Sequence, residues 1–246
     1  MLAQPRTGTS VFGNLVNKQR TTFLYREAFH PAFFKWGWYT HLLPILQESP
    51  DSILPTKWGR HLAPYLNGLY EAKEKKRKAA VGIDIKITQA ELLYALPQAV
   101  RACGAGVLHM RRRNTLAAIV SYRIMVERVR EGARAHGTSA PQVRSVYLNL
   151  DWLKLRMATF ETQDKTVKWT YRDYPYMELY YEDFVGETGW QRTCVRLSEF
   201  FGIAFEVPFE PRLQKQNPAT LEELIKNANE IKNAFPHFFE PEFQAP

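Results

Sequence analysis

Pro5-Arg6-Thr7-Gly8-Thr9-Ser10 runs straight into an apolar, helix-like stretch beginning Val11-Phe12. A glycine set between small hydroxyl residues lets successive backbone N–H groups converge on an anion. The helix that follows aims its positive N-terminal end at the same spot. The ligand implied is a nucleotide-type phosphate. The ATP/GTP loop G-x-x-x-x-G-K-[ST] needs a second glycine and a following lysine, and this segment has neither. Arg6 precedes the glycine instead, which argues against an ordinary ATPase or kinase. Taken alone, the hexapeptide equally suits a plain strand-to-helix connection, so the reading depends on a second site.

That second site is Val107-Leu108-His109-Met110-Arg111-Arg112-Arg113-Asn114, an apolar run ending in three arginines, followed by Thr115-Leu116-Ala117-Ala118-Ile119-Val120-Ser121. Thr115 is placed to cap a helix whose apolar positions 116, 119, 120 and 124 recur at helical spacing. Ser121 stands two turns beyond Arg113. A guanidinium at a strand's end and a hydroxyl on the next helix can reach one phosphate together, and arginine's planar fork suits phosphate oxygens. The competing interpretation is a solvated basic cluster.

Together the two segments resemble the sulfotransferases that use 3′-phosphoadenosine 5′-phosphosulfate (PAPS). In that family a loop of the form [K/R]-[S/T]-G-[S/T]-[S/T] grips the 5′-phosphosulfate. A strand ending in Arg-Asn/Asp, with a serine eight residues after the arginine, grips the 3′-phosphate. Arg6-Thr7-Gly8-Thr9-Ser10 matches the first, and Arg113-Asn114 with Ser121 matches the second, in the right order. Further stretches are similar to the branch containing bacterial nodulation-factor and trehalose-type carbohydrate sulfotransferases. These are Leu24-Tyr25-Arg26-Glu27-Ala28-Phe29-His30, then Tyr180-Tyr181-Glu182-Asp183-Phe184 with the helix-like residues 195–202, and Leu213-Gln214-Lys215-Gln216-Asn217-Pro218 with residues 221–227. The family begins with an apolar strand of several residues; here only Met1-Leu2-Ala3-Gln4 precede Pro5, so either that strand is very short or the true start lies upstream.

The resemblance assigns roles. Arg6 would stand near the bridging oxygen and offset charge on the leaving group, while Thr7, Gly8, Thr9 and Ser10 would hydrogen-bond the 5′-phosphate. Arg113 and Ser121 would hold the 3′-phosphate, with Arg112 as the alternative because three consecutive arginines leave the register open. Glu27 matches the carboxylate of the carbohydrate branch and is the first choice of general base; His30 competes, since other branches use histidine. A surface Glu27 beside Arg26 and a packed or capping His30 are the plainer readings. Lys86 could assist the sulfuryl oxygens, although a strand lysine usually faces solvent. Phe33, Phe34, Trp36, Trp38 and Tyr39 form an aromatic cluster suited to a sugar ring or aglycone, or else to core or interface. The acceptor, a carbohydrate or other small hydroxyl compound, follows from resemblance only.

The expected fold is α/β: one domain over residues 1–246, P-loop-like and three-layered, with a central parallel sheet covered by helices on both faces. Residues 81–87 alternate like a strand, residues 105–110 read as a buried one, and helical patterns follow both. Helical periodicity returns over 148–160, and residues 177–181 read as another strand. A last helix starts at Thr220, where Thr220-x-x-Glu223 forms a capping box and Leu221, Leu224, Ile225, Ala228 and Ile231 make the stripe. Alternating β and α units imply parallel strands, whose carboxyl ends bind ligands.

Composition bounds the remaining classes. In 246 residues, 45% hydrophobic and 13% aromatic, one sizeable core can form. Thirty-three basic against 25 acidic side chains give a net charge of +8, which suits an anionic cofactor and equally nucleic acid or an anionic membrane. The run from Lys73 to Lys78 is expected on a solvated helix face. Cys103 and Cys194 fit no metal spacing and are expected reduced and buried. No leader pattern opens the chain and no apolar run nears membrane-spanning length, so a soluble cytoplasmic protein is expected. Three functions follow: a sulfotransferase; a P-loop-like nucleotide kinase or phosphotransferase, which needs magnesium and ATP; and a basic nucleic-acid-binding module, whose affinity would fall steeply with salt. The first is favoured, with no metal and no nucleic acid as partner.

Overall fold

The computed structural model describes residues 1–30, 37–72, 77–131, 144–205, 208, 210, 219–240 and 243. Phe33, Phe34 and Trp36, the segment from Leu213 to Pro218, and most of the 73–78 basic run lie outside these described residues.

The protein is α/β, with a central four-stranded parallel sheet flanked by helices. In chain order the elements are β1 (Leu2–Ala3), α1 (Thr9–Lys18), β2 (Thr22–Tyr25), α2 (Trp38–Glu48), α3 (Gly59–Glu71), β3 (Ala80–Ile83) and β4 (Ile85–Lys86). There follow α4 (Ile87–Ala90), α5 (Leu96–Ala102), β5 (Val107–Arg111), α6 (Thr115–Arg130), α7 (Leu150–Thr170) and β6 (Tyr176–Tyr180). The chain closes with α8 (Tyr181–Phe184), α9 (Glu187–Phe201), α10 (Leu221–Leu224) and α11 (Ala228–Ala234). The central order is β4-β1-β5-β6, and β2 pairs with β3 in a second, two-stranded parallel sheet.

Strand alternation explains the layers. Ala3, Leu108, Met110 and Leu179 point to one face, where they meet Phe12, Leu15 and Val16 of α1 and Trp190, Cys194 and Leu197 of α9. Trp190, Cys194 and Leu197 recur at helical spacing, and burying each such apolar side chain is worth about 1.5–3 kcal/mol. Helix α9 ends at Gly202, whose φ of 65° is the left-handed conformation that closes helices. On the opposite face His109, Arg111, Tyr176, Glu178 and Tyr180 meet polar residues of α7, while Val107 packs near Val167 and Tyr171. A separate apolar cluster joins α6 and α7 to the C-terminal elements through Leu116, Ile119, Leu153, Phe160 and Ile225.

Two expectations are corrected. Residues 81–87 are not one strand. The backbone turns at Asp84, whose N–H donates to the Tyr25 carbonyl at 2.8 Å, while the Ile85 N–H donates to the Met1 carbonyl at 2.9 Å. Chain and pairing thus pass from β2 to β1, and Ile87 already begins α4. Likewise the capping box at Thr220 and Glu223 forms, but the helix stops at Leu224. Ile225 leaves it to bridge Val146 and fill the third apolar cluster, and α11 starts afresh at Ala228. Neither cysteine is in a disulfide; Cys194 is buried, whereas Cys103 is only half-buried.

Candidate functional site

Register fixes the surroundings of the loop between β1 and α1. Ala3 lies opposite Lys86 of β4 on one side and Met110 of β5 on the other. The chain leaves β1 for neighbours on both sides, so the loop sits at the carboxyl end of a switch point, where open α/β sheets form their binding crevice. Within the loop, Arg6 has φ 66° and Gly8 φ 83°. A left-handed backbone is cheap for glycine and costly for arginine, and such strain gathers at functional sites. The Thr7 hydroxyl donates to the Gln4 carbonyl at 2.9 Å and tightens the turn. A Cβ on Gly8 would lie 2.3 Å from the Tyr181 ring, so Tyr181 seals the loop from above. Gly8 then caps α1 without any side-chain acceptor, leaving the first-turn amides of that helix without intrahelical partners.

The two sequence motifs meet here. Arg6 Nε donates to Ser121 Oγ at 3.0 Å across 115 residues of chain. Arg112 lies over the Tyr181 ring, 4.8 Å from its centroid, and its Nε is buried with no hydrogen-bond acceptor. Its carboxylate neighbour, Glu182, is 3.7 Å away and already accepts the backbone N–H groups of Arg113 and Asn114. Burial pulls the Arg6 guanidinium below its ordinary range, with the charges of Arg112 and Arg128 adding to the effect. Arg112 is lowered by burial too, against the opposing pull of Tyr181 and Glu182.

Arg113 goes elsewhere: it pairs with Asp183 at 2.6 Å, lies over Tyr180 and is partly exposed. The structure therefore sets Arg112, rather than Arg113, on the Tyr181 ring and near enough for its charge to act on Arg6. Asn114, not Thr115, caps α6, accepting the Ala117 N–H at 2.8 Å while its amide holds the Phe238 and Phe243 carbonyls.

On the other flank, Lys86 Nζ reaches Thr9 Oγ1 at 2.8 Å, Asp84 at 2.8 Å and Glu27 at 3.8 Å. Lys86 is mostly buried, so it is not a solvent-facing strand lysine. Glu27 follows β2 with φ 43°, half-buried, and reaches the loop's surroundings through this lysine. The turn that sets it closes with the His30 N–H on the Glu27 carbonyl at 2.8 Å, and His30 is exposed. Ser10 contributes its carbonyl to Arg26 Nη2 at 2.8 Å, which anchors α1 to β2. Trp38 is fully buried against Phe29, Trp58 and Tyr65, so it is core; Tyr39 is exposed.

A polar brace beneath the loop escaped the sequence reading. Gln4 donates to Gln163 at 2.7 Å, and Gln163 to Glu91 at 2.9 Å. The adjacent Asp164 accepts Arg111 Nε at 2.9 Å and faces His109 Nε2 at 3.2 Å, while His109 Nδ1 meets the Tyr176 hydroxyl at 2.7 Å. Between brace and loop lies a cavity of about 10 Å³ lined by Gln4, Thr7, Arg112 and Thr115, room for a single water. A histidine inside an apolar strand was the available signal, since a buried imidazole requires partners.

No group of three or more potential metal ligands occurs among the described residues, and none of their helices is long and apolar enough to cross a membrane. Comparison with protein-family models, with curated proteins and with solved structures gave no match to this chain.

Proposed function

We propose that this chain is a sulfotransferase that moves the sulfuryl group of PAPS to a hydroxyl of a carbohydrate or other small acceptor. The observation that carries the reading is the Arg6–Ser121 contact. It joins the glycine loop to the arginine-serine motif at the carboxyl end of a parallel sheet, as one ligand bearing phosphates at both ends of a nucleoside requires. Thr9, Ser10 and the first-turn amides of α1 would bind the 5′-phosphosulfate. Arg112 and Ser121 would take the 3′-phosphate, with Arg6 able to reach from one to the other.

In the reaction the acceptor oxygen attacks sulfur, the bond from sulfur to the bridging oxygen breaks, and adenosine 3′,5′-bisphosphate departs with that electron pair. The acceptor's proton passes to Glu27. Catalysis then rests on positioning and on offsetting the leaving group's charge, as in phosphoryl transfer. Lys86, between Thr9 and Glu27, stands where it meets both the loop and the base. Two cysteines outside any disulfide suit a reducing cytoplasmic setting.

Calorimetric titration with adenosine 3′,5′-bisphosphate, against 5′-AMP and Mg-ATP at two salt concentrations, tests the reading. Micromolar binding that requires the 3′-phosphate is expected. A preference for Mg-ATP would make the protein a phosphotransferase, and salt-sensitive binding to nucleic acid without mononucleotide binding would make it a nucleic-acid module.

A further inference from the structure

Helices α2 and α3 border a cavity of about 300 Å³, the lower end of the range for small-ligand sites. Gly37, Thr40 and His41 line it from the entry and first turn of α2, a spacing of three and four residues that sets them on one side. From α3 it is lined by Pro64, Tyr65, Gly68 and Leu69, again a single helix face. Tyr65 and Leu69 are almost wholly buried and make that wall apolar.

None of these lining residues carries a carboxylate, an ammonium or a guanidinium. Burial and the charge of His61 hold the His41 imidazole below its ordinary range, so it is neutral at pH 7. In a chain of net charge +8, this pocket gives an anion nothing to pair with, and desolvating an unpaired charge is costly. It suits an uncharged ring, with the Thr40 hydroxyl and the His41 imidazole as the polar groups that orient it.

The walls are fastened to the residues on either side of Glu27. The Tyr65 hydroxyl donates to the Ala28 carbonyl at 3.5 Å, and the same carbonyl accepts the N–H of Trp38, the first residue of α2, at 2.8 Å. The Tyr25 hydroxyl donates to the Leu69 carbonyl at 3.2 Å. Both helices of the pocket are thus tied to the turn that carries the proposed base.

We propose that the pocket between α2 and α3 seats the uncharged aromatic ring of the acceptor, making that acceptor a neutral glycoside with an aromatic aglycone rather than a free or anionic sugar. The glycoside and its role as acceptor rest on the sulfotransferase reading; the affinity of the pocket for a neutral aromatic ring does not.

The experiment uses three probes that share one sugar: phenyl, methyl and 4-carboxyphenyl β-D-glucopyranoside, titrated by ligand-observed NMR. Adenosine 3′,5′-bisphosphate is titrated beside them, and turnover of the phenyl glucoside with PAPS is followed. The proteins are wild type, Gly68→Leu and, as a control on the same helix, Asn67→Leu at an exposed position. A Cβ at Gly68 would meet no atom within 4 Å, so leucine fits the fold there and takes up the ring's space. Because glycine is a poor helix former, Gly68→Leu without ligand should melt no lower than wild type, which excludes misfolding as the cause of lost binding. Wild type should bind the phenyl glucoside at least about tenfold more tightly than the methyl or the carboxyphenyl compound, the worth of burying one neutral ring. Gly68→Leu should lose that preference and raise KM for the phenyl glucoside about tenfold or more, with the Kd for the bisphosphate within about twofold of wild type; Asn67→Leu should match wild type throughout. If the ring preference and its loss in Gly68→Leu are seen but the bisphosphate does not bind, the ring pocket stands and the sulfotransferase reading falls. No binding of the phenyl glucoside, equal binding of all three probes, or a preference that survives in Gly68→Leu overturns the pocket. An unchanged KM in Gly68→Leu overturns its role in holding the acceptor.

Discussion

At the scale of single residues, Gly8 bears the tightest constraint at the site. Its φ of 83° lies in the left-handed region, and an added Cβ would stand 2.3 Å from Tyr181 Cδ2 and 3.1 Å from Phe184 Cζ. Backbone strain alone costs an L-residue about 1–2 kcal/mol there. Moving Tyr181 also disturbs the ring on which Arg112 rests. Gly8→Ala is therefore expected to lower the urea midpoint by an amount corresponding to about 1–2 kcal/mol or more, and to weaken adenosine 3′,5′-bisphosphate at least about tenfold. A variant with wild-type midpoint and wild-type affinity would show that the loop backbone is not the anion's seat.

Among elements, α7 decides how the loop is supported, because its consecutive Gln163 and Asp164 hold β1's exit and β5 respectively. Asp164→Ala would strip Arg111 Nε and His109 Nε2 of a shared acceptor in a half-buried setting. Hydrogen bonds to charged groups are worth roughly 1.5–3 kcal/mol, so a loss of that size in chemical denaturation is expected. A loss within about 0.5 kcal/mol, the range of an ordinary surface substitution, would mean the brace supports nothing. The sequence made such elements legible where the signal is local: the buried strand expected over 105–110 and found at Val107–Arg111, and the capping box at Thr220. Where the signal is a choice of neighbour, it was silent. An alternating run such as 81–87 looks the same whether it pairs with one strand or passes between two. The apolar stripe of 221–231 has the right period on both sides of its break, yet Val146 captures Ile225 from outside. The register of the arginines has the same cause. Alternation sends Arg111 to the α7 face with His109, and Arg112 falls on the side of Tyr181, but this is readable only once the strand's end is known.

Across the whole molecule, the proposed chemistry is divided between the two sheets. The arginine cluster belongs to the central sheet and α6, whereas Glu27 extends the two-stranded sheet of β2 and β3. Lys86 links them, and it is held more closely by Asp84 and Thr9 than by Glu27. Replacing Glu27 thus removes a long, half-exposed ion pair, a change worth within about 1 kcal/mol, and leaves the donor contacts in place. If Glu27 accepts the acceptor's proton, Glu27→Gln should lower kcat by about 10²–10⁴-fold, the usual worth of a positioned base, while the Kd for adenosine 3′,5′-bisphosphate stays within about twofold. The measurement is steady-state turnover with PAPS beside a calorimetric titration of the same variant. Loss of both turnover and bisphosphate binding would place Glu27 in the donor site and join the two halves that the topology separates. Unchanged turnover would pass the proton to His30, which sits one turn on from Glu27 and is exposed, or to water, and His30→Gln would then distinguish the two.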